Sequence, residues 1–234
     1  MKNSGMSELF TSAEQMQKAT NYNQWTFDQF KKYIHGDILE VGCGVGSFTK
    51  LITDQSEFDS MYCIDISTAA IDHIMKRKFS KEIRIECMDL IDVKGEYDFI
   101  VCMNVMEHVK DDVKFFKKLL ELLKPGGVLF HLVPSHQFLY STFDEAAGHF
   151  KRYDKNMMRS LDTGADVKLI EQYYFNFIGA LGYWAVYKIL KSGNINDTEG
   201  EIGMFDKYIV PFSRKFLPLK TPIGISLISV YKKN

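Results

Sequence analysis

The 234-residue sequence predicts an α/β fold: a mostly parallel sheet with helices on both faces. Three observations carry the prediction. From residue 38 onward, short apolar runs alternate with segments of helical spacing, the pattern of strands that pair in parallel and return through helices. The first run, Ile38-Leu39-Glu40-Val41, leads directly into Gly42-Cys43-Gly44-Val45-Gly46-Ser47. Glycines there let the backbone turn sharply and lie close to a ligand. Acids close successive runs at Glu40, Asp65 and Asp89, which puts them on the carboxyl edge of the sheet, where open α/β sheets bind ligands.

Bulk properties narrow the class. Residues 1–234 read as one domain, enough for one proper core and short for two. With 46% hydrophobic and 25% charged residues, the chain has a globular composition. A net charge of −1 gives no global field toward nucleic acid or anionic membrane. Met1 to Gln17 has no apolar signal-type core, and no apolar run reaches the length of a transmembrane helix. Cys43, Cys63, Cys87 and Cys102 form no C-x-x-C pair. They read as buried reduced thiols of a cytoplasmic protein.

Taken in order, residues 9–34 carry apolar positions at helical spacing, so 1–36 reads as an N-terminal helical cap. Asp37 to Val41 is the first strand, and Phe48 to Thr53 begins the helix behind it. Ser60 to Asp65 is the second strand. Asp65 falls about twenty residues after the glycine turn, where an acid accepts both ribose hydroxyls; the alternative is a helix N-cap, a task Ser67 could also fill. Thr68 to Phe79 reads as a helix whose basic end, Lys76-Arg77-Lys78, complements the helix dipole. Ile83 to Cys87 is the third strand, and Asp89 follows it, either in a ligand contact or as a turn residue. Tyr97 to Met103 suits a central buried parallel strand. Asp111 to Leu123 is an amphipathic helix stopped by Lys124-Pro125-Gly126-Gly127, and Val128 to Val133 is the fifth strand.

Beyond Pro134 the character changes. Residues 134–160 hold His136, Tyr140, Asp144, His149, Arg152 and Tyr153 and read as an insertion on the substrate side. Val167 to Tyr174 is the sixth strand. A second insertion spans 177–222: Asn176 to Leu190 is an apolar helix with Trp184, either core or the lining of a pocket for a greasy substrate, and Phe205 to Leu219 reads as a cap folded over the site. Ile225 to Tyr231 alternates and is the last strand.

The segment Glu40-Val41-Gly42-Cys43-Gly44-Val45-Gly46-Ser47-Phe48 resembles motif I of the class I S-adenosylmethionine-dependent methyltransferases. Asn104-Val105-Met106-Glu107-His108-Val109 resembles the Glu-His-Val signature of their small-molecule members, among them the ubiquinone-biosynthesis O-methyltransferases. The likeness covers roughly Asn21 to Val133. It implies a Rossmann-like, seven-stranded, mostly parallel sheet with a reversed last strand. It implies S-adenosylmethionine as cofactor and S-adenosylhomocysteine as product. Gly42, Gly44 and Gly46 then form the cofactor turn, and Glu40 offsets the ammonium or sulfonium charge. Asp65 holds the ribose. Asp89 meets the adenine amino group, and Ile66, Met88 and Leu90 flank the ring. Asn104 and Val105 follow on the same edge. Tyr22 and Trp25, in Asn21-Tyr22-Asn23-Gln24-Trp25, either cover the methionine end or simply pack an amphipathic helix.

The implied reaction moves a methyl group to a small-molecule acceptor, by O-methylation of a hydroxylated or lipophilic intermediate of secondary-metabolite, quinone or glycan-related biosynthesis. N- or C-methylation is the alternative on the same fold. The Asn/Asp-Pro-Pro-aromatic tetrad of amino-methylating nucleic-acid enzymes does not follow the fourth strand, so nucleic acid is not the expected partner. A base is needed only where the acceptor must lose a proton, and His108 and His149 are the candidates; each is equally readable as a structural hydrogen-bonder. Asp144 to Tyr153 resembles a Gly-His-x-x-Arg-Tyr segment, which assigns Tyr140, His149, Arg152 and Tyr153 to the substrate wall. No carboxylate–histidine cluster has metal-ligand spacing in the sequence, so the expectation is a metal-independent reaction. Two other readings stand beside it. One is an NAD-dependent oxidoreductase, against which the early third glycine counts. The other is a catalytically silent cofactor-binding partner subunit. Oligomeric state is not legible.

Overall fold

The computed structural model describes residues 16–161, 166–185, 200, 203–217 and 220–234. Its strands are β1 (Asp37–Val41), β2 (Ser60–Asp65), β3 (Arg84–Cys87), β4 (Tyr97–Met103), β5 (Leu123–Pro134), β6 (Val167–Phe175) and β7 (Ser226–Lys233). The helices used below are α1 (Thr20–Phe30), α2 (Ser47–Gln55), α3 (Thr68–Ile74), α4 (Asp112–Glu121), α5 (Thr142–Ala146), α6 (Lys155–Ser160), α7 (Phe177–Trp184) and α8 (Val210–Phe216).

One sheet of seven strands runs in the order β3-β2-β1-β4-β5-β7-β6. β7 pairs antiparallel with both β5 and β6, while β1 to β5 pair in parallel. The strand order turns back at β1 and β4, whose carboxyl ends therefore open a crevice.

The period-two alternation of a strand explains the double core. In β1, Ile38 belongs to the cluster on one face, with Phe30, Phe99 and Phe130, while Leu39 and Val41 join the other, with Ile100, Phe116 and Leu129. A sheet covered on both faces needs apolar side chains in both directions, which is why β1 and β4 read as nearly continuous apolar runs. α1 seals the first face. Phe30 is wholly buried and its ring stands 4.9 Å from Phe130 and 6.1 Å from Phe99.

Four expectations need correction. Lys124-Pro125-Gly126-Gly127 lies inside β5, where the register jumps between the pairs Tyr97↔Leu123 and Phe99↔Val128; α4 has already stopped at Glu121. Gly127 is required because a Cβ would sit 2.9 Å from the carbonyls of Lys124 and Tyr97. Cys87, at the end of an edge strand, is exposed, unlike the three buried thiols. Residues 203–217 pack on α1: Asp206 accepts from the backbone N–H groups of Asn21 and Tyr22 at 3.1 and 2.8 Å. That helix therefore braces the N-terminal cap and lines no part of the cavity described below. Trp184 is 45% exposed and also stands outside that cavity; residues 186–190 of its expected helix lie outside the described residues. No described helix is long and apolar enough to cross a membrane.

Candidate active site

The site begins where β1 hands over to α2. Gly42, Gly44 and Gly46 all take positive φ, at 76°, 51° and 78°, a region costly for residues with a Cβ. Their surroundings differ. A Cβ on Gly42 would fall 2.2 Å from Val105 Cγ2, and one on Gly46 would fall 2.6 Å from Ile74 Cγ1, whereas one on Gly44 would meet nothing within 4 Å. Gly42 and Gly46 thus permit packing, and Gly44 leaves space at the edge.

Asp65 fixes that turn. Its Oδ2 accepts from Gly44 N–H at 2.9 Å and its Oδ1 from Ser67 N–H at 2.8 Å. Ser67 caps α3, accepting from Ala70 N–H at 3.2 Å, so the N-cap reading of Asp65 falls away. Burial raises the Asp65 carboxyl above its ordinary value against those backbone donors. Asp89 makes the turn that stood as the alternative to a ligand contact, with Oδ1 accepting from Ile91 N–H at 3.1 Å, and it also lines the cavity described next. Glu40 is 3% exposed. Burial pushes its carboxyl up to about 7, although Thr49 Oγ1–H donates to it at 2.6 Å.

Glu40, Gly42, Gly44, Asp65, Ile66, Met88, Asp89, Leu90, Asn104 and Val105 line one cavity of about 490 Å³, within the range of small-molecule sites. Gly46 stands behind the turn. Asn104, at φ 53°, holds the bend after β4, with its N–H donating to Leu132 O at 2.9 Å. The described lining contains neither lysine nor arginine. Acids for a ribose and an adenine, an open glycine turn and apolar faces fit the nucleoside of S-adenosylmethionine; a dinucleotide's diphosphate finds no cation here.

The opposite wall brings together residues distant in sequence. Glu107 and His108 occupy a single 3₁₀ turn after β4. His149 returns to them from the segment after β5, because Gly148 turns the chain at φ 76°. The rings of His108 and His149 meet edge-on at 4.7 Å. One ligand-type atom from each of Glu107, His108 and His149 lies within 4.8 Å of the others. The sequence holds no carboxylate–histidine cluster at metal-ligand spacing, and the structure gathers one through a chain reversal. Glu107 Oε2 and His108 Nδ1 are buried and have no hydrogen-bond partner among the described residues. Burial lifts the Glu107 carboxyl to about 8. Burial, and then the neighbouring His149, lower His108 to about 4.

His149 is held from behind. Asp144 Oδ1 lies 2.8 Å from His149 Nδ1 and also accepts from Arg152 Nε at 2.9 Å. Its Oδ2 accepts from Tyr183 O–H at 2.8 Å and Ser141 N–H at 2.9 Å. Burial pushes the Asp144 carboxyl up, but the bond with His149 and the Arg152 charge outweigh it and hold it at about 2. An anionic Asp144 on Nδ1 keeps the proton on that nitrogen, leaving Nε2 as the basic one.

Five expected residues of the wall and the cap stand outside the cavity lining. Arg152 is 2% exposed, tied to Asp144. Tyr153 is wholly buried, donating to Asp112 Oδ2 at 3.1 Å. Tyr140 donates to the His149 carbonyl at 2.7 Å. Trp25 packs on Phe175 with ring centroids 4.4 Å apart. Tyr22 also packs on Phe175, at 6.2 Å, and it is Asn23, with Met16, that reaches the cavity from this side. The helical period sets Tyr22 and Trp25 on one face and turns Asn23 away from both, a signal that the aromatic pair obscured. Glu107 and Asp144 were missed as well. Glu107 lies in the Glu-His-Val signature, which gives it no role of its own, and a separation of four intervening residues between Asp144 and His149 matches no regular period.

Comparison with known proteins agrees with this geometry. The sequence model of the methyltransferase domain family matches residues 13–172. A malonyl-[acyl-carrier protein] O-methyltransferase of Acetivibrio thermocellus is 30% identical over 95 residues, 40% of this chain and 34% of that protein. A ubiquinone biosynthesis O-methyltransferase of Coxiella burnetii is 28% identical over 106 residues, 43% of this chain and 44% of that one. The chain thus spans less than half the length of these relatives. Among solved structures, the plantazolicin methyltransferase BpumL with S-adenosylhomocysteine superposes with a TM-score of 0.58 at 15% identity, over 98% of this chain and 89% of that one. An S-adenosylmethionine-dependent methyltransferase of Clostridium acetobutylicum gives 0.60 at 12% identity, over 92% and 91%. With the motif-bearing half matched by the family and the strand order matched by the structures, the chain belongs to the methyltransferase domain family and has the class I S-adenosylmethionine-dependent fold.

Proposed function

We propose that this protein transfers a methyl group from S-adenosylmethionine to the oxygen of a hydroxylated small molecule. The observation that carries the reading is His149, which lines the same cavity as the glycine turn and has its Nδ1 2.8 Å from the buried Asp144. A hydroxyl is a weak nucleophile until its proton has somewhere to go, and a carboxylate-oriented imidazole is a suitable acceptor. The O-methyltransferase relatives agree with oxygen as the acceptor atom.

When bound, the cofactor supplies a methyl group already activated by its sulfonium, so the chain's tasks are alignment, exclusion of water and removal of a proton. Asp65 accepts the ribose hydroxyls with lone pairs left by Gly44 and Ser67. The second oxygen of Asp89 takes the adenine amino group, with Ile66, Met88 and Leu90 against the ring. Glu40 faces positive charge at the turn. Asn23 and Met16 close the α1 side. His149 Nε2 receives the acceptor's proton while Asp144 steadies the cation that forms. Phe143 and Ala147 give the acceptor side of the cavity apolar surface, which suits a lipophilic or ring-bearing acceptor.

The test is a mass-resolved screen of phenolic and aliphatic alcohols against amines and carbon acids, with wild-type protein and His149→Ala. Methylated alcohols from the wild type, lost in a variant that still binds S-adenosylhomocysteine, are the expected result. Methylation of amines alone, untouched by His149→Ala, would overturn the reading.

A further inference from the structure

We propose that Glu107, His108 and His149 form a binding site for one divalent transition-metal ion beside the methyl-transfer cavity. Three independent features converge. The donor atoms come from two imidazoles and one carboxylate and lie within 4.8 Å of one another, close enough for side-chain rotation to bring them onto one ion, around which ligand atoms stand roughly 3 Å apart. Glu107 Oε2 and His108 Nδ1 are buried without any hydrogen-bond partner among the described residues. Buried acceptors are normally satisfied, and two unmatched ones on adjacent residues call for a proton or a cation. His149 presents its second nitrogen to Asp144, the carboxylate–histidine arrangement that orients metal-bound imidazoles and strengthens them as ligands.

The donor set defines the class of ion. Two nitrogens and one oxygen suit zinc and its first-row neighbours better than magnesium or calcium, which prefer all-oxygen shells. Three protein ligands leave at least one position open to the cavity, the arrangement of a catalytic rather than a structural site. There an acceptor hydroxyl could bind directly and release its proton to solvent water at neutral pH. This role rests on the oxygen-acceptor reading above, whereas binding of the ion does not. With the ion in place, His149 acts as ligand and Asp144 as the residue that positions it.

The decisive experiment titrates chelator-stripped protein with Zn²⁺ by calorimetry, using wild type, Glu107→Gln, His108→Gln, His149→Gln and, as a surface control, His35→Gln. Each protein is also titrated with S-adenosylhomocysteine, which reports an intact fold. One zinc per chain in the wild type and in His35→Gln is expected, with affinity at least tenfold weaker in each ligand variant that still binds the nucleoside. No saturable site in the wild type, or one that ignores Glu107→Gln and His149→Gln, overturns the proposal. Should every ligand variant lose nucleoside binding too, Co²⁺ added to the wild type decides. Visible bands of a low-coordinate, nitrogen-ligated ion that Zn²⁺ displaces support the site, and the spectrum of the hydrated ion overturns it. A protein that methylates alcohols through His149 without binding metal retains the oxygen reading and loses this one; metal binding without alcohol turnover does the reverse.

Discussion

Glu40 is enclosed beneath the cofactor edge with its carboxyl raised to about 7, and the consequence for stability has a definite sign. The folded protein holds the proton more tightly than the unfolded chain, so this residue's contribution is fully present below about pH 4.5 and is lost as pH rises toward 7. A shift of this size corresponds to roughly 3 kcal/mol. In urea denaturation of ligand-free protein at pH 5 and pH 7.5, Glu40→Gln should lose less stability than wild type across that interval, by about that amount. An identical loss in both would remove Glu40 from the account. Asp65 gives the second prediction at this scale. Asp65→Ala should weaken S-adenosylhomocysteine binding by roughly 1–3 kcal/mol while the protein still unfolds cooperatively; titration of the variant checks it. The sequence disclosed Asp65 and Asp89 because an acid at the end of a strand has a fixed place on the sheet edge. It did not disclose Asp144, which reaches its partner through an irregular turn.

The element that best separates folding from binding is the turn between β1 and α2. Gly42→Ala sets a Cβ against Val105 Cγ2 in a left-handed conformation, and should cost roughly 2–4 kcal/mol from overpacking and backbone strain together. Gly44→Ala meets no neighbour; it should cost only the backbone strain, about 1–2 kcal/mol, yet lower S-adenosylhomocysteine affinity by projecting a methyl into the cavity. Thermal unfolding and nucleoside titration of the two variants should therefore rank them in opposite orders. α1 offers a purely structural contrast. Phe30→Ala opens the contact with Phe99 and Phe130, for a loss of roughly 3–5 kcal/mol and a melting temperature lower by roughly 10 °C, measurable by calorimetry. The aromatics of α1 were visible in the sequence, but which side of the helix met the sheet and which met the cavity was not. That choice depends on Asp206 docking from far along the chain.

At the scale of the molecule, β7 is inserted between β5 and β6 and is hydrogen-bonded on both sides. A chain ending before Ser226 would expose two long apolar strand edges, the template for aggregation, and should sediment with insoluble material while the full chain does not. Parallel strands joined by helices were legible as the alternation of short apolar runs and helical spacing. The position of β7 was not, since pairing order is decided by contacts between distant segments, and only the resemblance implied the reversal.

The two halves of the cavity also come from different stretches of chain. The stretch up to Leu90 supplies the glycine turn, Asp65 and Asp89, while Phe143, Ala147 and His149 come from the stretch after β5. Descendants of this protein could therefore exchange the stretch after β5 and change acceptor without relearning how to hold the methyl donor. His149 travels with that stretch, so on the reading proposed above a change of acceptor would also put at stake the group that prepares it, and lineages that lost the histidine would be left to nucleophiles that need no preparation.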